Sequence, residues 1–163
     1  MAKKDVKTNL LDHSEAKVRL LGEYLKRYLS IILNDGYTKR IRIYDLFCGE
    51  GIYENGGEGS PLVILRTLKK VYYSTLNRIN RIVPVDCYFN DIDIDKVDKL
   101  KRVILEKKVH SMEMGDLFFT YEDYREKIKA LKNELSKLNL EKAFVFIDPY
   151  GYKHIRGGDI KGL

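Results

Sequence analysis

The sequence holds only two cysteines, Cys48 and Cys87, in 163 residues. Two thiols make neither a disulfide framework nor a set of zinc ligands. No apolar run approaches the roughly 20 residues needed to cross a bilayer. No apolar stretch follows the basic start Met1-Ala2-Lys3-Lys4-Asp5-Val6-Lys7 to make it a signal peptide. The expectation is therefore a soluble, cytoplasmic protein with no membrane partner. The dinucleotide fingerprint is missing too, because the position three after Gly51 is Glu54 rather than glycine, and no Gly-Lys-Ser/Thr completes a phosphate-binding loop. Acid is absent from the whole stretch between Gly59 and Val85.

What is present is enough apolar material for a core. Hydrophobic residues make up 44% and charged residues 33%, which excludes wholesale disorder and suits one domain of this length. The net charge is +6, and its distribution says more than its size. Asp45, Glu50, Glu54 and Glu58 precede the acid-free stretch with no base between them, and Arg66, Lys69, Lys70, Arg78 and Arg81 lie within it. An acidic loop beside a basic helix is a polarised surface. Its basic part reads either as a nucleic-acid contact or as a solvated helix face.

Apolar spacing predicts the elements. Val18, Leu21, Leu25, Tyr28 and Ile32 recur at helical intervals between about Asp12 and Leu33, with Ser14 as N-cap. Ile41 to Phe47 is β-prone and runs into a glycine-rich loop from Cys48 to Gly59. Ser60-Pro61 is a helix start, with Ser60 capping and Pro61 at the first helical position, and Leu62, Leu65, Leu68 and Tyr72 form its apolar side. A second strand is predicted at Val83–Asn90, a helix capped by Asp93 to about Lys107, a third strand near Val109–Met114 and a helix within Tyr121–Leu138. Ala143-Phe144-Val145-Phe146-Ile147 reads as a parallel strand covered on both faces. Strand–helix alternation of this kind predicts an α/β fold with a parallel sheet, right-handed crossovers and helices on both faces.

Such sheets bind ligands beyond the carboxyl ends of their strands. Asp45-Leu46-Phe47-Cys48-Gly49-Glu50-Gly51, Asn90-Asp91-Ile92-Asp93, Gly115-Asp116-Leu117 and Asp148-Pro149-Tyr150-Gly151-Tyr152 fall at the four predicted ends. Gly49 and Gly51 allow a tight turn close to a ligand. The acidity of the loop suits a ligand with a cationic portion, and S-adenosylmethionine, with its sulfonium and ammonium, fits that charge logic. Asp91 or Asp93 is placed to accept ribose hydroxyls, Asp91 lying closer to the strand end and Asp93 being equally explicable as an N-cap, and Asp116 to accept an adenine amino group or to cap a turn. Cys48 reads as a small loop residue and Cys87 as a buried strand residue.

These motifs resemble a known family. Asp45-x-Phe47-x-Gly49-x-Gly51 resembles motif I of S-adenosylmethionine-dependent methyltransferases, and Asp148-Pro149-Tyr150 resembles their fourth-strand catalytic motif. The chain is most similar to the three-Cys-motif partner protein (TcmP) family. The likeness is carried by His13-Ser14-Glu15-Ala16-Lys17, Tyr24-Leu25, Tyr44 through Tyr53, Gly59-Ser60-Pro61 and Phe146 through Tyr152. The resemblance implies a Rossmann-like class I methyltransferase fold with strand order 3-2-1-4. An N-terminal helical segment (1–40) would precede the donor-binding domain (41–163). It further implies S-adenosylmethionine held by Asp45, Phe47, Gly49, Gly51, Asp91, Asp93 and Asp116, an acceptor held by Asp148, Pro149 and Tyr150, and His13 and Lys17 over the cofactor pocket. By composition alone these last two are exposed helix residues. The partners it suggests are nucleic acid and a three-Cys-motif protein.

The chain departs from the family's fourth-strand motif in having one proline, with Tyr150 in the place of the second and Tyr152 as an alternative ring. A cytosine-C5 route lacks its cysteine nucleophile, since neither thiol is near that strand. His154 is a proton carrier or a solvated loop residue. The seven-stranded sheet of such enzymes would lack its C-terminal strands here, leaving the fourth at an edge. That predicts either a fragment of a longer product or a second chain along that edge, a second copy of this one included. A methyltransferase acting on nucleic acid, a non-catalytic partner subunit and a nucleic-acid-binding module are the functional readings the sequence carries.

Overall fold

The computed structural model describes residues 12–79, 81, 83–149 and 157–163. Tyr150, Tyr152 and His154 lie outside the described residues, as does the side chain of His13. The chain runs α1 (Asp12–Ile32), β1 (Arg40–Asp45), α2 (Ser60–Leu76), β2 (Val85–Asn90), α3 (Ile94–Lys107), a 3-10 turn (Met112–Met114), β3 (Leu117–Thr120), α4 (Tyr124–Leu135), β4 (Glu141–Phe146) and a short α5 (Gly157–Ile160).

The four strands are parallel and ordered β3-β2-β1-β4, as the resemblance implied. Alternation along β1 decides which side each residue serves. Ile41 and Ile43 join Val85, Cys87 and Phe89 in one cluster with the buried leucines of α1 and α2 and with Val97, Leu100 and Val103 of α3. Tyr44 faces the other way and packs with Leu46 and with Tyr124, Ile128 and Leu131 of α4. Three helices therefore cover one face and α4 the other. Tyr44, Tyr88 and Phe118 are register partners on neighbouring strands, and their rings stack at 4.5 and 4.6 Å across the α4 side. Residues of α1 belong to the same core as the sheet. No helix among the described residues is long and apolar enough to cross a membrane.

Several local expectations are corrected. Helix α1 starts at Asp12, so Ser14 lies inside it rather than capping it. Its buried stripe is Leu21, Leu25 and Leu29, continued by Leu33, while Val18, Tyr28 and Ile32 sit half-buried on the flank. Gly59, in extended backbone, is the cap residue of α2; Ser60 is the first helical residue and makes no cap bond, because its hydroxyl is engaged elsewhere. The fourth strand packs on both faces, Phe144 and Phe146 against one core and Val145 and Ile147 against the other, but is half-buried rather than fully covered. Tyr24 and Tyr28 of α1 lay their rings against Phe144, and among the described residues β4 pairs with β1 alone.

The third strand is the largest correction. Val109 and Met114 are buried, but in an irregular segment ending in the 3-10 turn, where side-chain burial rather than strand pairing explains the apolar residues. The strand begins only at Leu117, paired with Cys87. Gly115 makes the passage possible. Its φ of +136° lies outside the usual L-residue range, and a Cβ there would stand 2.3 Å from the Val85 carbonyl oxygen. Gly115→Ala therefore combines backbone strain with a main-chain clash, and is expected to cost at least about 3 kcal/mol of stability. A urea-denaturation midpoint close to that of the wild type would contradict this path of the chain under β2.

Candidate functional site

At the carboxyl edge of the sheet, β2, β1 and β4 end side by side on Asn90-Asp91, Asp45-Leu46 and Phe146-Ile147-Asp148. A cleft of about 500 Å³ opens there. Leu46, Phe47, Ile92 and Tyr124 give it apolar walls, Asp91, Asp93, Glu122 and Asp123 give it acid, Lys96 and Arg125 give it base, and Pro149 closes one side. Its size and mixed lining are those of a small-molecule site.

Asp91 organises the cleft. It is 5% exposed, its Oδ2 accepts the Gly49 N–H at 3.0 Å and its Oδ1 accepts the Asp93 N–H at 3.0 Å. One carboxylate thus ties the loop after β1 to the turn that starts α3. Asp93 is the N-cap of α3, accepting from the N–H groups of Asp95 and Lys96 at 3.1 and 3.4 Å. Asp123 likewise caps α4 by accepting from Arg125 N–H. Both helix N-termini at the cleft are therefore satisfied by the chain's own carboxylates, which leaves them poor places for a phosphate.

Asp45 is fully buried. Ser60 Oγ donates to its Oδ2 at 2.6 Å, and Phe47 N–H donates to Oδ1 at 3.3 Å. Burial pushes its carboxyl up to about 7; the hydrogen bonds oppose that shift, and the nearby charges of Asp148 and Asp91 add to it. Asp148 sits on the α1 side of the edge, where Lys17 Nζ donates to its Oδ1 at 2.9 Å.

The glycines have reasons within the chain. Gly51 sits at φ +80°, and a Cβ there would lie 2.5 Å from Leu100 Cδ1 of α3. Gly49, at φ +60°, supplies its N–H to Asp91. The loop is closed by Gly59 N–H to Gly51 O at 2.8 Å and anchored by a Lys99–Glu50 ion pair at 2.9 Å.

Of the expected site residues, Phe47, Asp91, Asp93 and Pro149 line the cleft; Gly49 is bonded to Asp91, Asp45 lies near enough to Asp91 and Asp148 to feel their charges, and Gly51 packs on Leu100 instead. The structure does not bring in Asp116. With β3 starting at Leu117, Asp116 stands at the amino end of that strand, its N–H bonded to Asp86 Oδ1 at 3.0 Å, at the opposite edge from the cleft. Asp116 stands away from the cleft because the strand lies later in the chain than its apolar pattern predicted.

Both thiols are buried, and desolvation pushes each well above the ordinary thiol range, so neither is a nucleophile. Among the described residues no cluster of His, Cys, Asp and Glu could hold a metal ion. The basic stretch is largely engaged within the chain. Arg66 pairs with Glu58 at 2.6 Å, Lys69 Nζ donates to Lys108 O at 2.9 Å, Arg78 Nε to Ser74 O at 3.3 Å, and Arg81 to Thr38 O. Lys70 is exposed. The acidic loop and the basic helix are thus partly neutralised against each other.

Sequence reasoning missed Asn90. This buried amide donates to Leu46 O and Glu122 O and accepts from Thr120 Oγ1 and Glu122 N–H, joining the ends of β1, β2 and β3. The signal was an amide closing a strand that is apolar or aromatic from Cys87 to Phe89. Glu122, Tyr124 and Arg125 were also missed; they follow β3 and could not be placed while that strand was misplaced.

Scans against family models, curated proteins and solved structures found no match to this chain.

The titration of Asp45 has a measurable consequence. Its folded-state value lies above the ordinary 3.8, so the folded chain holds a proton that the unfolded chain releases. Its contribution is most favourable below about pH 4 and is lost as pH rises to about 7. Asp45→Asn should remove that decline, making the variant's stability relative to wild type improve by on the order of 3 kcal/mol between pH 4 and pH 8. Urea unfolding at the two pH values tests it; an unchanged difference would mean that Asp45 stays ionised in the folded protein.

Proposed function

We propose that the chain is a methyltransferase-like domain of the TcmP type that binds S-adenosylmethionine at the carboxyl edge of its sheet, with nucleic acid as the acceptor class. The observation that carries this reading is that Asp91, Asp45 and Asp148 fall at three adjacent strand ends, beside a cleft of mixed apolar and charged lining whose helix N-termini are already capped. Such a site disfavours a pyrophosphate and favours a ligand that joins a flat ring, a diol and a positive charge.

In this reading Phe47, Ile92 and Tyr124 flank the adenine, and the Asp91–Asp93 turn accepts the ribose hydroxyls, each charge-assisted bond being worth about 1.5–3 kcal/mol. The carboxylates that line the cleft, Asp91, Asp93, Glu122 and Asp123, offset the positive charge of the donor. The donor supplies the activated methyl group, and the chain supplies placement and exclusion of water. Asp148 and Pro149 hold the acceptor nitrogen in line. The half-buried β4 edge is the place for a three-Cys-motif protein or a second copy of the chain.

Calorimetry is the test. S-adenosylmethionine and S-adenosylhomocysteine should each bind with a dissociation constant below 1 mM, roughly −4 kcal/mol or better, and compete with each other, whereas ATP should give no heat. A folded sample with no heat from either ligand at millimolar concentration would reject the reading.

A further inference from the structure

We propose that Lys17 makes the acceptor position selective for a neutral nitrogen, such as the exocyclic amine of a base, against an ammonium group. The inference rests on Asp148 being the carboxylate that meets the acceptor.

Of the three carboxylates on the rim, Asp45 is fully buried and Asp91 carries a backbone N–H on each oxygen. The Asp148 side chain keeps 37% of its exposure. Of these three strand-end carboxylates, Asp148 is therefore the one open to a cation from solvent. Lys17 reaches it from α1, 131 residues away in sequence, with its own side chain 42% exposed. A pair this open contributes little to folding, so its presence at the rim calls for a reason other than stability.

The Lys17 ammonium offsets the charge that would draw a protonated amine to Asp148. It also sets a like charge at contact distance from any ammonium that took its place beside the carboxylate. A neutral N–H donor meets no such repulsion, and a carboxylate with about four acceptor sites has room for both donors. Lysine-like side chains and polyamines would be turned away and an aromatic amine admitted.

The test compares wild type, Lys17→Gln and Lys17→Arg by titration with n-butylammonium and with cytosine, following the Ile147 and Asp148 amide resonances. Lys17→Gln should bind n-butylammonium about threefold more tightly than wild type. Lys17→Arg, which keeps the charge, should not, and cytosine affinity should stay within twofold across all three. Equal n-butylammonium affinity in wild type and Lys17→Gln, or no response to it in either, would overturn the proposal. So would parallel weakening of both probes, the mark of a merely structural pair. S-adenosylhomocysteine affinity of the same proteins reports separately on the donor reading, and its absence would reject that reading without altering the cation comparison.

Discussion

The bidentate use of Asp91 is the interaction on which the rest of the site depends. Its two oxygens take the N–H groups of Gly49 and Asp93, one from the loop after β1 and one from the turn before α3. Backbone donors buried at a sheet end must find partners, and an ionised acceptor bonds them more strongly than a neutral one. Meeting that demand with one carboxylate brings the loop and the helix start together and fixes the floor of the cleft. Asn90 does the same work one residue earlier, joining the ends of β1 and β3 through its amide. Two adjacent polar residues at the end of one strand thus position three neighbouring segments.

The electrostatics follow from that arrangement. Three parallel strands ending together place their terminal carboxylates close to one another, and each is handled differently. Asp91 accepts two backbone N–H groups, Asp148 pairs with the Lys17 ammonium of α1, and Asp45, buried and bonded to Ser60, rises toward neutral pH. The repulsion that remains falls on Asp45, whose carboxyl the charges of Asp148 and Asp91 push further up. The same economy governs the polarised surface around α2, where Glu58 takes Arg66 and most other cations are spent on carbonyls.

Much of the fold was legible in the sequence because it rests on local pattern. Alternation of β-prone and helical spacing gave the α/β class, Asp93 was readable as a cap, and β1, β2 and β4 were placed within two residues or so. Strand order came from the resemblance and agrees with the observed sheet. Errors arose where long-range geometry overrides local preference. Val109 and Met114 are apolar for burial, not pairing, so β3 was placed too early and Asp116 was assigned to the wrong edge. Ser60 has the composition of a cap, yet its hydroxyl serves Asp45, fifteen residues back. Lys17 was read as a pocket cover through the family likeness; its bond to Asp148 spans nearly the whole chain and no periodicity announces it.

Amide hydrogen exchange at Gly49 and Asp93 tests the central constraint most directly. In wild type both amides should be strongly protected, and Asp91→Ala should speed both at least tenfold while the amides of Ile43 and Cys87 inside the sheet keep their protection. Unchanged exchange at Gly49 and Asp93 in that variant would contradict the account, because the loop and the helix start would then be held together by something other than Asp91.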